Sequence, residues 1–426
     1  MIQSDFYTDS CSRQTISPYL MFEGVIPPFN EAQKLEALTR GIDNMNVNIY
    51  SFTGDSVNDG RFVLLNDFWK VYEFDPLTLE TKRSVTAEVP HKKGSKDQFA
   101  FLNMLSSAHP LPESGTKSQL TFLSSVSLIP WIKSTISLIR IISLDKREVV
   151  CSWEVDKVPY MHSFSATHNY AILFASPFYV NTLKMVKSAE PFLSLDWNQR
   201  EATQVYVIHL KTGELTVLET DNMFTMHHVN AYELDDKNII VDVSSYPNPD
   251  FVSNLQMDIL LDPQKRNNFD AHARLVRYVI DMSTSVITRE PLYISERAPF
   301  SINIDMPVIN EEYRYTEYCY AYGVVLKYTN TSLGSIAIAK KNMCGNASQD
   351  AFWAMEGHYP VEPWFVPLPG HGPEDAGYIM VPVIDGTREK SYLAIIDARN
   401  MTLVNKADLP TIVPYNLHGR FFEDIV

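Results

Sequence analysis

The chain is short of cysteine, of positive charge and of long apolar runs. Its four cysteines, Cys11, Cys151, Cys319 and Cys344, stand far apart in 426 residues with no CxxC pair. That is neither a disulfide framework nor a zinc site, and it fits a reducing compartment. The longest apolar stretch, "FLSSVSLIPWIKSTISLIRIISL", is broken by Lys133, Arg140 and several serines, so it does not read as a membrane span. No charged-then-apolar leader opens the chain, and a cytoplasmic protein is expected. The sequons at Asn330, Asn346 and Asn400 carry little weight without such a leader. Against 51 Asp and Glu stand 36 Lys and Arg, giving a net charge of −15 and a pI near 5.2. An acidic surface repels phosphate backbones and anionic lipid, which excludes nucleic-acid binding and membrane adhesion by charge alone. HExxH, a two-histidine facial triad and a glycine-rich phosphate loop are also missing.

What is present is strand after short strand. Segments such as "NVNIYSF", "RFVLLNDF", "AILFASPFYV", "TQVYVIHL", "NIIVDVSS" and "SYLAIID" give an all-β reading. Helical periodicity is convincing only over "FNEAQKLEALTRGI", Phe29 to Ile42, with a weaker signal at "NLQMDILL". A punctuation mark recurs: a strand ending in Asp or another charged residue, a tight turn, then a strand rich in Thr or Val. It occurs at "FDPLTLETKRSV", "LDKREVVCSWEV", "LKTGELTVLET", "IDMSTSVITREP" and "IDARNMTLVNKA", with a looser copy at "AKKNMCGNAS". Successive marks lie roughly 57 to 70 residues apart, within range of a four-stranded propeller blade with its loops. The rival is a sandwich of unrelated hairpins. The polar stretches Asp262 to Ala273 and Pro369 to Gly377 read as surface loops within one domain, 1–426.

Of 11 histidines, His91, His272 and His371 sit in polar loops, His209 ends a strand, and His358 and His168 border turns. Four contexts stand apart: His109 in "SSAHP", His162 in "YMHSFSAT", His227 and His228 in "TMHHVNAYE", and His418 in "YNLHGRF". Each alone reads more simply as a structural histidine. Histidines this far apart meet only if a radial fold carries them to one axis, as a propeller does. Neighbours in a strand face opposite ways, so only one of His227 and His228 can point to such an axis.

Together these contexts resemble the carotenoid cleavage oxygenase family, in particular its animal branch of β-carotene oxygenases and the retinoid isomerohydrolase. The matching segments are "FDPLTLETK", "SAHP", "MHSFSATHNY", "FTMHHVNAYE", "MPVINEEYRYTEYCYAYG", "HYPVEPWFVPLPG" and "YNLHGRFFE", in one order along the chain. The resemblance implies a seven-bladed β-propeller with a helical and loop cap on one face and four axial histidines holding one Fe(II). The ligands it implies here are His109, His162, His227 and His418, with His228 turned away into packing or a hydrogen bond. It also implies carboxylates that hold the outer ring nitrogens of three ligands, fixing tautomer and ring angle. By motif these are Glu362 for His418, Asp67 for His162 and Asp305 for His227. The family uses glutamate at all three places. An aspartate is one methylene shorter, so its bond must stretch, take a water or draw the backbone in.

An apolar polyene calls for an apolar tunnel, and Tyr160, Phe68, Tyr246, Met306 and Leu417 are the positions implied to line it. "MFEGVIPPF", Met21 to Phe29, occupies the place of the family's apolar membrane-docking loops, so peripheral membrane contact is expected there. The chain lacks the family's usual N-terminal segment, and its first blade is therefore expected to be incomplete. The function implied is Fe(II)-dependent cleavage of a conjugated double bond of a carotenoid or apocarotenoid by O₂, giving carbonyl products such as retinal. The rivals are a retinyl-ester isomerohydrolase on the same iron and a non-catalytic carotenoid- or retinoid-binding relative.

Overall fold

The computed structural model describes residues 2–19, 27–43, 46–52, 60–87, 101–127, 131–187, 194–253, 256–266, 273–292, 296–297, 300–301, 304–327, 335–345, 350–370 and 372–422. His91, His272, His371, Asn330, Asn346 and residues 21–26 of the apolar loop lie outside them. The chain divides into two compact units. The first comprises residues 1–164, 169–217 and 422–426; the second comprises 165–168 and 218–421.

The first unit opens with two helices, Asp5–Arg13 and Glu31–Arg40. The second of these is the periodic segment expected from sequence. Asn30 starts it through a capping box, accepting from the Gln33 N–H while the Gln33 side chain accepts from Asn30. Two antiparallel sheets follow. One runs Asn48–Phe52, Arg61–Leu65, Val71–Phe74 and Thr81–Val85; the other runs Phe101–Ser106, Gln119–Ser127, Ser134–Ile141 and Arg147–Val155. Val63, Tyr50, Phe52, Val71 and Val85 of the one share a buried apolar cluster with Ile141 and Leu144 beside the other. A third sheet contributes Tyr170–Ala175 and Thr203–His209 to this unit, and the unit boundary falls inside its last strand, Leu215–Thr220.

The second unit holds three more sheets. Their principal strands are Phe224–Glu233, Asn238–Tyr246, Arg274–Asp281 and Val286–Pro291; then Asp305–Val308, Tyr320–Lys327, Ser335–Asn342 and Ala351–Trp353; then His358–Pro360, Gly377–Asp385, Lys390–Asp397 and Thr402–Asp408. Short helices, including Met257–Leu260, interrupt the first of these sheets. Each of the six large sheets is an antiparallel meander of four or five strands, the make-up of a propeller blade. The all-β propeller reading therefore holds. A seventh blade is not among the described sheets, and the first sheet, expected to be partial, has its four strands.

Several copies of the recurrent mark share one turn, which Asp385 also uses. An aspartate ends the strand, its carboxylate accepts backbone N–H groups two and three residues on, and the fourth residue takes positive φ. Asp75 is followed by Leu79 at 59°, Asp281 by Ser285 at 59°, and Asp385 by Glu389 at 51°. In "HLKTG" the aspartate is replaced by His209, whose Nδ1 accepts the Thr212 N–H at 3.2 Å, and Gly213 takes the positive φ of 71°. A Cβ on Gly213 would stand 2.5 Å from the Val150 carbonyl, so this copy requires glycine for space as well as conformation.

The cysteine expectation is overturned at one place. Cys319 and Cys344 form a disulfide, with Cα atoms 5.0 Å apart. The register explains it: Tyr320 pairs with Asn342 across the central hairpin of the fifth sheet, and each cysteine lies just beyond that pair. Linear spacing, 25 residues apart, hid a proximity that strand pairing creates. Cys11 and Cys151 are free thiols.

Candidate functional site

Each unit brings two of the expected histidines together. In the first unit, the Nε2 atoms of His109 and His162 are 3.0 Å apart. His162 is buried, and its Nδ1 lies 2.7 Å from Oδ2 of Asp67, itself only 2% exposed. The same oxygen accepts the Tyr160 hydroxyl at 3.0 Å. Tyr160 and His162 are two residues apart in extended chain, so both reach the same side. The Ser107 hydroxyl ties the pair together: it donates to the His162 carbonyl at 2.7 Å and accepts the His109 N–H at 3.0 Å. Burial lifts the Tyr160 phenol well above its usual range, and the Asp67 charge adds to that, so this hydroxyl stays a donor.

In the second unit, the rings of His227 and His418 stand 5.1 Å apart, close to perpendicular. His227 Nδ1 lies 2.8 Å from Oδ1 of Asp305, whose Oδ2 accepts the Tyr246 hydroxyl at 2.5 Å. His418 Nδ1 lies 2.8 Å from Oε1 of Glu362, whose Oε2 accepts the Gly419 N–H at 3.0 Å. Burial works to raise the Asp305 carboxyl, but His227 and the bonds from Tyr246 and the Met306 N–H outweigh it and hold the group below its ordinary value.

Asp305 owes its place to irregular backbone. The pairing slips between Asp305↔Val324 and Val308↔Tyr322, and Met306 in the slip takes a φ of 49°. A bulge of this kind re-aims a side chain, and the Met306 N–H turns back onto Asp305 Oδ1 at 2.8 Å. Gly323 on the neighbouring strand makes room: a Cβ there would lie 2.6 Å from the Asp305 carbonyl.

His228 faces away from His227, as alternation requires. Its Nδ1 is 2.7 Å from the Ser165 hydroxyl, and burial pushes its pKa down to about 3, so it is a neutral packing histidine. His168 packs edge-on against Tyr315, and His358 meets the Tyr392 hydroxyl at 3.0 Å; both are structural. Of the residues implied to line a tunnel, Phe68 is buried, Met306 packs half-buried against the apolar core, and Leu417 is 43% exposed. Tyr160 and Tyr246 do something sequence reasoning missed: their hydroxyls hold the two aspartates. Ser107 and Gly323 were also missed as site-shaping residues, although both sit inside the quoted motifs "SAHP" and "YCYAYG".

A histidine that donates Nδ1–H to a carboxylate keeps its Nε2 lone pair for a ligand. Two such nitrogens bound at right angles to one ion, each at about 2.1 Å, stand about 3.0 Å apart. The His109–His162 pair has that spacing. Histidine pairs backed by buried carboxylates make a candidate metal site on a blade-built all-β scaffold, and the fold is of the propeller class.

The family follows from direct comparison. The family model described as "Retinal pigment epithelial membrane protein" matches residues 2–423, and the chain belongs to this family. A human "Beta,beta-carotene 15,15'-dioxygenase" is 26% identical over 295 residues, covering 62% of this chain and 52% of that protein. A Crocus sativus "Carotenoid 9,10(9',10')-cleavage dioxygenase" is 30% identical over 278 residues, covering 62% of this chain and 48% of that protein. The chain thus spans about half the length of such curated relatives. A Pongo abelii "Carotenoid-cleaving dioxygenase, mitochondrial" aligns over 94% of this chain and 76% of its own length, at 25% identity. Among solved structures, cobalt-substituted Synechocystis ACO shares the fold, with a TM-score of 0.76 at 19% identity over 98% of this chain and 82% of that one. Among the described residues, no helix is long and apolar enough to cross a membrane.

Proposed function

We propose that the chain is an Fe(II)-dependent oxygenase that cleaves a conjugated double bond of a carotenoid or apocarotenoid with O₂, and that residues 1–426 work as one domain. His109, His162, His227 and His418 would hold one iron. The observation that carries the reading is that three of these imidazoles have Nδ1 held by a carboxylate, at 2.7, 2.8 and 2.8 Å. Four neutral imidazoles suit iron and leave an octahedral ion up to two open positions. When bound, the iron would supply the activation of O₂ beside the polyene.

The chain's own residues orient and exclude. Asp67, Asp305 and Glu362 fix which ring nitrogen faces inward and keep each Nδ1 proton in place. Phe68, Met306 and Leu417 are the proposed apolar contacts of the polyene. No protein acid or base has to move a proton. A non-catalytic binding protein would be favoured if the shorter Asp67 and Asp305 failed to reach their histidines. Both reach their histidines as closely as Glu362 does, which supports the enzyme reading.

The test is elemental analysis of the purified monodisperse chain, then product analysis with β-carotene in air and under nitrogen. About one iron per chain, with aldehyde products only in air, is expected. A folded, iron-free chain that binds carotenoid overturns the reading. Turnover of retinyl ester without oxygen replaces it with the isomerohydrolase.

A further inference from the structure

Two of the three supporting carboxylates are aspartates, and both aspartates carry a tyrosine. Tyr160 donates to Asp67 Oδ2 at 3.0 Å, and Tyr246 donates to Asp305 Oδ2 at 2.5 Å. The glutamate does not use one: Glu362 takes its second bond from the backbone N–H of Gly419, next to its own histidine. We infer that Tyr160 and Tyr246 are positioning residues, each adding to the backbone N–H already on its aspartate a side-chain tether that lets this short carboxylate orient a metal-binding histidine. This rests on the metal site proposed above.

Each further hydrogen bond limits a carboxylate's rotation about its last bond and so fixes the angle its histidine needs. Asp67 Oδ1 accepts the Ala108 N–H at 3.4 Å and Asp305 Oδ1 the Met306 N–H at 2.8 Å, and the phenols add to these. The glutamate is long enough to reach both a histidine ring and the following backbone N–H. The aspartate is shorter by a methylene, and a buried phenol delivers a further donor to it. Tyr160 is 5% exposed and Tyr246 2% exposed, so water does not compete for either bond at low cost. A glutamate in either place would have to fit its extra methylene beside a phenol oxygen that already lies within 3.0 Å of the carboxylate. The arrangement recurs at two unrelated places in the chain. In one, tyrosine and histidine share an extended segment; in the other, Tyr246 pairs with Phe224, three residues before His227.

These features predict a compensating pair of substitutions. The probe is Co(II) alone, added to the whole apo chain, with affinity read by chelator competition and ligand geometry by visible absorption. Tyr160→Phe is expected to weaken Co(II) binding by ~10- to 100-fold and to shift the absorption bands. Asp67→Glu is expected to weaken binding in the native background, where the phenol crowds it. Tyr160→Phe with Asp67→Glu should recover most of the affinity and the native spectrum. Tyr246→Phe with Asp305→Glu gives the same comparison independently. Native affinity and spectrum in both phenylalanine variants, or no recovery in either double variant, overturns the inference. So does loss of folding in both phenylalanine variants, since the hydroxyls would then be holding up the fold instead of the carboxylates. If the native chain takes up neither Co(II) nor Fe(II), it is the proposed function that fails.

Discussion

The two kinds of histidine support differ in what they ask of the chain around them. Glu362 holds His418, 56 positions away, with a long side chain and takes the backbone N–H of the next residue, Gly419. Asp67 and Asp305 draw in further side chains and backbone: a tyrosine, a pairing slip and a glycine at Asp305, and a tyrosine at Asp67. The difference teaches that a carboxylate's reach decides how much tertiary structure must be organised behind a metal ligand. One methylene less is made up by buried hydroxyls and by backbone that gives way.

The largest effect should come from removing a ligand on either side of that comparison. His162→Ala and His418→Ala are each expected to bring iron content to background and abolish cleavage with the circular dichroism spectrum unchanged. Normal turnover in either variant would break the single-iron reading.

Next in size is the disulfide, which lies in the unit that holds Asp305. Replacing Cys319 and Cys344 together by serine frees a loop of 25 residues and should cost ~3 kcal/mol of that unit's stability, read from denaturant unfolding. An unchanged midpoint would mean that the hairpin register alone holds the fifth sheet.

Removing charge from the carboxylates should separate the two kinds of support. Asp67→Asn keeps an oxygen where Oδ2 serves both His162 and Tyr160, and iron affinity should fall ~10-fold. Glu362→Gln keeps an oxygen for only one of its two donors, which use different oxygens, and should fall further, by up to ~100-fold. Equal losses at both places would erase the distinction.

Smaller still are the glycines. Gly323→Ala drives a Cβ against the Asp305 carbonyl and should cost ~1–3 kcal/mol together with some metal affinity. Gly213→Ala, in a turn of the other unit, should cost a similar stability with metal affinity unchanged. If both variants lost metal equally, the effect at Gly323 would be general loosening.

The smallest effect is on acid stability away from the site. Bonds from Arg61 lead in holding the Glu73 carboxyl below its ordinary value against the opposing pull of burial, with Arg83 adding to them. A carboxylate depressed in this way stabilises the fold above its unfolded pKa of about 4.3 and loses that contribution as pH falls through the lower folded value. Arg61→Met should therefore flatten the acid limb of a stability-versus-pH profile and leave the metal site unchanged.

Much of this was legible along the chain. The turn mark at Asp75 and Asp281 is local: the carboxylate, its backbone donors and the left-handed fourth residue all lie within five residues, so its repetition announces blades before any blade is seen. The direction of His228 was legible too, since alternation along a strand is a local rule. The disulfide and the tyrosine tethers were not, because each depends on which distant strands pair and in what register. Tyr160 and Tyr246 read as tunnel-lining aromatics since an aromatic ring announces burial, while nothing in sequence says where its hydroxyl ends.

By itself, the sequence determined the all-β blade pattern, the four histidine motifs in their order and the three carboxylates at their motif positions. These are properties of residue type and short spacing, which sterics and hydrogen bonding read within a few residues. Only the tertiary structure decided that Cys319 meets Cys344, that Gly323 clears a path for Asp305, and that two buried phenols complete two short carboxylates. The disulfide joins residues 25 positions apart and the Tyr160–Asp67 bond joins residues 93 apart, where only the folding together of distant segments brings side chains within bonding distance.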